Sequence, residues 1–151
     1  MKKRQRGFTL IEMMVVVVIL GVLAAIVVPK IMSRPDKAKL VKAQQDILAF
    51  ESALNLYKLD NSDYPTTEQG LEALVIKPTL EPVPSNWKAG GYLKQVPQDP
   101  WSHAYNYLNP GEKNPTSFDV FSYGADGKPG GSGFNTDIGN WGSEVNRETG
   151  N

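Results

Sequence analysis

Cysteine is absent from the 151 residues, and histidine occurs once, as His103. Without cysteine no disulfide can staple the chain. Zinc centres built from thiolate and imidazole, and Cys–His nucleophile pairs, are excluded on residue count. Exported domains of this size commonly carry a disulfide, so some other device is expected to hold the loops. Excess charge of either sign is lacking too, with 16 Lys and Arg against 16 Asp and Glu. No basic face suited to nucleic acid is visible, and nucleic acid is not expected as a partner. Nor does any group of nucleophile, base and catalytic metal assemble. Ser102 beside His103 is only a chain neighbour, while Asp60/Asp63 and Glu68/Glu72 read as solvated turns or helix faces. The chain is not expected to be an enzyme.

The charge balance conceals a segregation. Lys2, Lys3, Arg4 and Arg6 open the chain with no acid among them, which leaves 12 basic against 16 acidic residues beyond the leader. Residues 8–28 then read FTLIEMMVVVVILGVLAAIVV, 21 residues whose only charge is Glu12. About 20 residues at a rise of ~1.5 Å span the ~30 Å hydrocarbon layer, whereas the apolar core of a signal peptide runs to about 7–15. The length predicts a spanning helix, with the basic leader cytoplasmic and the remainder on the far side. Ala24 and Ala25 make a poor conventional cleavage site. An acidic side chain within hydrocarbon costs several kcal/mol. Glu12 therefore either reaches back to the headgroups from the helix start or has a function that needs it there.

KKRQRGFTLIEMMVVVVILG resembles the leader of type IV prepilins and type II secretion pseudopilins. The resemblance implies that a prepilin peptidase cuts after Gly7 and that Phe8 becomes the N-methylated first residue. Glu12 would then be the glutamate the family carries at its fifth position. Cleavage would create an α-amino group at the start of an apolar helix. In a stack of staggered helices a neighbour's Glu12 would neutralise it, and a misaligned subunit would leave a charge unpaired. Glu12 would in that sense be an assembly register.

After the anchor, residues 29–59 are expected to continue as an amphipathic helix. Pro29 and Pro35 either end the first helix near Val28 or mark a weak stretch in one long helix. Leu40, Ala43, Ile47, Phe50, Leu54 and Tyr57 alternate spacings of three and four, the signature of one buried helix face. Thr66 and Gln69 look like the capping box of a short second helix. Pro78, Pro82 and Pro84 mark a long loop that Trp87 and Tyr92 fold onto the core. Strands are expected at residues 104–108 and 117–123, with residues 119–122 alternating in strand fashion. Trp101, Tyr105, Tyr107, Phe118 and Phe121 most simply form a small packed core. Residues 60–142 make up the globular region, and residues 143–151 are expected to be a disordered tail.

Three further stretches, YPTTEQGLEAL, GGYLKQVPQDPW and SYGADGKPGG with its closing DIGNW, resemble the major pseudopilins of type II secretion, the protein G family. The resemblance implies an α+β, type IV pilin-like fold, with a long N-terminal helix packed on a small antiparallel sheet. Five glycines between residues 124 and 133, flanked by Asp126 and Asp137, suit a hard cation such as Ca²⁺, although composition alone favours a flexible loop with no ion. The EF-hand spacing fails after Asp126. Family members bind calcium in the matching loop, which implies Asp126 and Asp137 as side-chain ligands, with Tyr123, Lys128 and Thr136 as further candidates. The family further implies a homopolymeric, periplasmic pseudopilus anchored in the inner membrane. Its partners would be minor pseudopilins and an inner-membrane assembly platform. Two rivals are a type IV pilin or minor pseudopilin, and a secreted calcium- or carbohydrate-binding domain freed by ordinary signal cleavage.

Overall fold

The computed structural model describes residues 9–32 and 34–141, with side chains described for all of these except residues 24–32, 34 and 35. Gly7, Phe8 and the tail at residues 143–151 lie outside the described residues. The chain divides into two units between Lys37 and Ala38.

In the first unit, α1 spans Leu10–Met32. It runs past Pro29, so the helix does not end at Val28; one missing N–H costs one hydrogen bond, and the turns on either side remain. Its apolar side chains from Leu10 to Leu23 are all exposed in the isolated chain, Leu10 at 80 %. Among the described residues no helix is long and apolar enough to cross a membrane. The described side chains of α1 stop at Leu23, however, and the apolar run in the sequence continues to Val28.

α2 spans Arg34–Asn61, with Asp36 in its first turn and Lys58 in its last, both favourable to the helix dipole. The predicted stripe is the buried face: Ala43, Ile47, Phe50, Leu54 and Tyr57 are buried, Ala53 joins them and Leu40 packs at the margin. The helix stops where Ser62 adopts a left-handed φ of 74° and donates its N–H to the Lys58 carbonyl at 2.7 Å. Asn61 covers another end carbonyl, donating from Nδ2 to Tyr57 O at 2.9 Å.

The Thr66–Gln69 capping box forms reciprocally, Gln69 N donating to Thr66 Oγ1 at 3.2 Å and Thr66 N to Gln69 Oε1 at 3.1 Å. No second α-helix succeeds it. Gly70 takes φ +60°, outside the helical region, and only a 3-10 turn forms at Leu71–Leu74. The proline-rich loop folds back as expected: the Trp87 indole donates to Ala73 O at 2.8 Å, and Tyr92 stacks on Tyr57 at 5.3 Å.

Three antiparallel strands pack on α2 in the order β1-β2-β3: β1 Asn106–Leu108, β2 Asp119–Ser122 and β3 Ile138–Gly139. Phe50 meets Tyr105 edge-on at 5.1 Å, and the Tyr105 hydroxyl donates to Asp46 Oδ2 at 2.9 Å. Burial first, and the Asp46 carboxylate second, push the Tyr105 phenol well above the usual range. The expected alternation in β2 is absent, since all four residues are buried. Its second side is covered by Trp141, which packs on Phe121 at 5.4 Å, and by a loop that Asp119 holds. The Asp119 carboxylate accepts from Lys113 N at 2.7 Å, Asn114 N at 3.0 Å and Asn114 Nδ2 at 2.9 Å.

Candidate functional site

Two places carry the functional expectations. The first is the start of α1. Thr9 N–H donates to Glu12 Oε2 at 3.4 Å, while Glu12 N donates to Thr9 O at 3.2 Å. Thr9-x-x-Glu12 is thus the glutamate half of a capping box, a signal present in the sequence beside the leader motif. The bond is long and exposed, so Glu12 is only loosely engaged and remains available to a stronger partner.

The second is the β2–β3 connection. Ser122 faces Ile138 across the sheet, so residues 123–137 form a loop whose two ends are clamped together by strand pairing. β3 escaped the sequence reading because it is two residues long and includes a glycine. Within the loop, 3-10 turns form at Gly124–Asp126 and Gly133–Asn135. Two glycines allow close main-chain approaches, Gly124 between the halves of the loop and Gly131 within the second half. A Cβ on Gly124 would lie 2.8 Å from the carbonyl oxygens of both Phe134 and Thr136, and one on Gly131 would collide with Asn135 O. The carbonyl oxygens of Phe134 and Thr136 thus border Gly124 in the first half of the loop, while that of Asn135 borders Gly131 in the second.

The two expected carboxylates bracket one short segment. Asp126 Oδ1 accepts from Lys128 N at 3.2 Å, and both oxygens of Asp137 accept from Gly130 N at 3.1 and 3.0 Å. Those two nitrogens are two residues apart, a span of at most about 7 Å. Thr136 is placed by its carbonyl against Gly124. Lys128 is placed by its N–H, and Tyr123 packs its ring on Phe121 at 5.2 Å. No group of three or more Asp, Glu, His or Cys side chains gathers among the described residues. An ion here would depend on main-chain oxygens for most of its shell.

Behind the loop stands a buried polar hub that sequence reasoning missed. Asp99, only 4 % exposed, accepts from Trp101 N at 3.0 Å and His103 N at 2.8 Å. Ser122 Oγ donates to Asp99 Oδ2 at 2.5 Å and accepts from Gly124 N at 3.1 Å. The His103 ring lies over Gly127, where an added Cβ would approach it to 3.1 Å. The QDPW segment therefore supports the root of the glycine loop. Its only local sign in the sequence is an aspartate placed to accept from main-chain N–H groups just ahead of it.

Comparison with known proteins adds to these observations. The family described as "Type II secretion system (T2SS), protein G" matches residues 30–141, and the prokaryotic N-terminal methylation motif matches residues 2–28. The chain is 62 % identical over 140 residues to "Type II secretion system core protein G" of Pseudomonas aeruginosa, covering 93 % of this chain and 97 % of the relative. It is 59 % identical over 139 residues to the protein of the same name from Vibrio cholerae, covering 92 % and 93 %. The crystal structure of the major pseudopilin from the type 2 secretion system of enterohaemorrhagic Escherichia coli matches with a TM-score of 0.65 and 50 % identity, over 73 % of this chain and 88 % of that one.

Proposed function

Since this chain belongs to the type II secretion system protein G family, we propose that it is a membrane-anchored precursor that is cut between Gly7 and Phe8. It then polymerises as the major subunit of a periplasmic pseudopilus. The observation that carries this reading is the joint match of the methylation motif over residues 2–28 and the protein G family over residues 30–141, which leaves little of the chain outside. The exposed apolar side chains of α1 fit it, because a surface of that kind needs lipid or other subunits to cover it. Glu12 then pairs with the new α-amino group of a neighbour and sets the register. Proteolysis and methylation are performed on this chain by a prepilin peptidase. Minor pseudopilins and an inner-membrane assembly platform are its further partners, and the polymer supports export of folded proteins across the outer membrane.

The deciding measurement is mass spectrometry of the N-terminal peptide from membranes of cells that carry the matching peptidase. The expected species begins with N-methylated Phe8. An N-terminus at Met1, or one beyond Ala25, would remove the filament reading and leave an anchored or secreted binding domain.

The glycine loop is proposed to hold Ca²⁺. Its donors are all oxygen, two are carboxylates bracketing one segment, and glycines bring carbonyls close, which fits a hard cation. Asp126 and Asp137 would hold the ion, with carbonyls of Tyr123, Lys128 and Thr136 completing the set. When bound, it would neutralise both carboxylates and tie down the loop. At free calcium of 100 times Kd the linkage is worth about 2.7 kcal/mol, or a rise in Tm of about 10 °C for a unit of this size. The melting temperature should fall by that order when calcium is exchanged for a chelator, and Asp137→Ala should abolish the difference. Identical melting in calcium and chelator would sink the site.

A further inference from the structure

Among the described residues β1 is an edge strand, with β2 on one side and no strand on the other. In an antiparallel pair, opposite residues either bond each other or both turn their polar groups outward. Val120 stands opposite Tyr107. Its main-chain groups go instead to Asn140: Val120 N donates to Asn140 Oδ1 at 3.1 Å, and Asn140 N donates to Val120 O at 3.1 Å. The N–H and C=O of Tyr107 therefore point away from β2, toward the open side.

Two residues along, the same edge is closed by a side chain. The Thr67 hydroxyl accepts from Asn109 N at 2.9 Å and donates to Asn109 O at 3.1 Å, doing what a partner strand would do. No equivalent serves Tyr107 among the described residues. Beside it lies a cleft of about 420 Å³, lined by residues of β1 and by Thr67, Gly70, Glu72 and Val96 among others. Glu72 is exposed and has no ion-pair partner among the described residues, and no Lys, Arg or His lines the cleft.

We infer that this cleft is a strand-addition site for an extended peptide segment of a second protein, one carrying a lysine or arginine to meet Glu72. Main-chain pairing at the Tyr107 edge would supply the affinity common to such sites, and the lone carboxylate the selectivity. The volume is at the low end of ligand clefts, about 300–1,000 Å³, which suits a few extended residues and not a folded domain. The cleft belongs to the globular unit and uses no residue of α1, so its role stands whether or not the chain polymerises.

The test uses the full chain in detergent micelles and the peptide acetyl-Thr-Lys-Val-Lys-Thr-amide. Two further versions are N-methylated, one at the valine and one at both lysines. The parent should bind and slow hydrogen exchange at the Tyr107 amide. One methylated version should lose about tenfold in affinity, as expected for a lost main-chain bond, while the other binds like the parent. Glu72→Gln should weaken binding about threefold, the order of an exposed ion pair. Four results would overturn the inference: no binding at millimolar peptide, equal binding of all three peptides, binding without protection of Tyr107, or a Tyr107 amide already protected in assembled filaments by a neighbouring copy.

Discussion

Asp119→Ala is expected to lower the stability of the globular unit by about 3–5 kcal/mol, because the carboxylate is buried and the main-chain N–H groups of Lys113 and Asn114 have no second acceptor among the described residues. Asp119 is 1 % exposed and accepts from two main-chain nitrogens and one amide nitrogen. Alanine would leave the N–H groups of Lys113 and Asn114 facing a small void. Gly111 packs directly on the carboxylate, where an added Cβ would lie 2.5 Å from Asp119 Oδ1, so its removal also strips the loop of that contact. With a urea m-value of about 1–3 kcal/mol/M, the unfolding midpoint should move down by roughly 2 M. Asp119→Asn keeps the shape and one good acceptor, and should lose about half as much. Unfolding followed by tryptophan fluorescence reads both; a loss under about 1 kcal/mol for alanine would show that other contacts hold the loop.

Glu12→Gln should leave membrane insertion and cleavage intact while reducing filament yield at least tenfold. The substitution separates the two roles the side chain can play. Glutamine still offers an oxygen to the Thr9 N–H, the bond made at 3.4 Å in the isolated chain, but carries no charge. If capping the helix were its whole contribution, glutamine would assemble like the parent. If it neutralises a neighbour's α-amino group, glutamine leaves that charge buried alone, a penalty of about 3–5 kcal/mol per contact and a factor of a hundred or more in association. The assay is the filament fraction recovered by shearing, beside N-terminal mass spectrometry to confirm processing. Normal assembly of the glutamine variant would end the register reading.

How much could be read in the sequence depends on how local each signal is. The α2 stripe was legible because Ala43, Ile47, Phe50, Leu54 and Tyr57 repeat at helical spacing, and helical spacing is a property of near neighbours. The Thr66–Gln69 box was legible for the same reason. The 3-10 turn after it was not, since the φ of +60° at Gly70 is set by how the chain turns toward Leu71 and the core. β2 lost its expected alternation because its second face is covered by residues far along the chain, Trp141 among them. The glycine loop showed its glycines and two carboxylates in advance, but the closeness of Gly124 to carbonyls 134 and 136 depends on β3, which carries no pattern of its own. Asp99 went unread because its third partner, Ser122, sits on β2, and nothing in QDPW points there. At Glu12 the leader motif drew the eye from the plainer capping pair with Thr9.

The distance along the chain between the α2 stripe and its cover sets a clock for synthesis. Tyr57 closes the stripe, while Ile138, the final buried residue of the core, is made about 80 residues later. At roughly 5–20 residues per second, the nascent chain carries a bare row of Ile, Phe, Leu and Tyr for some 4–16 seconds before the last of its cover exists. During that interval the row is as sticky as any unfolded hydrophobic segment, and holding it apart from other nascent chains falls to whatever meets the chain first.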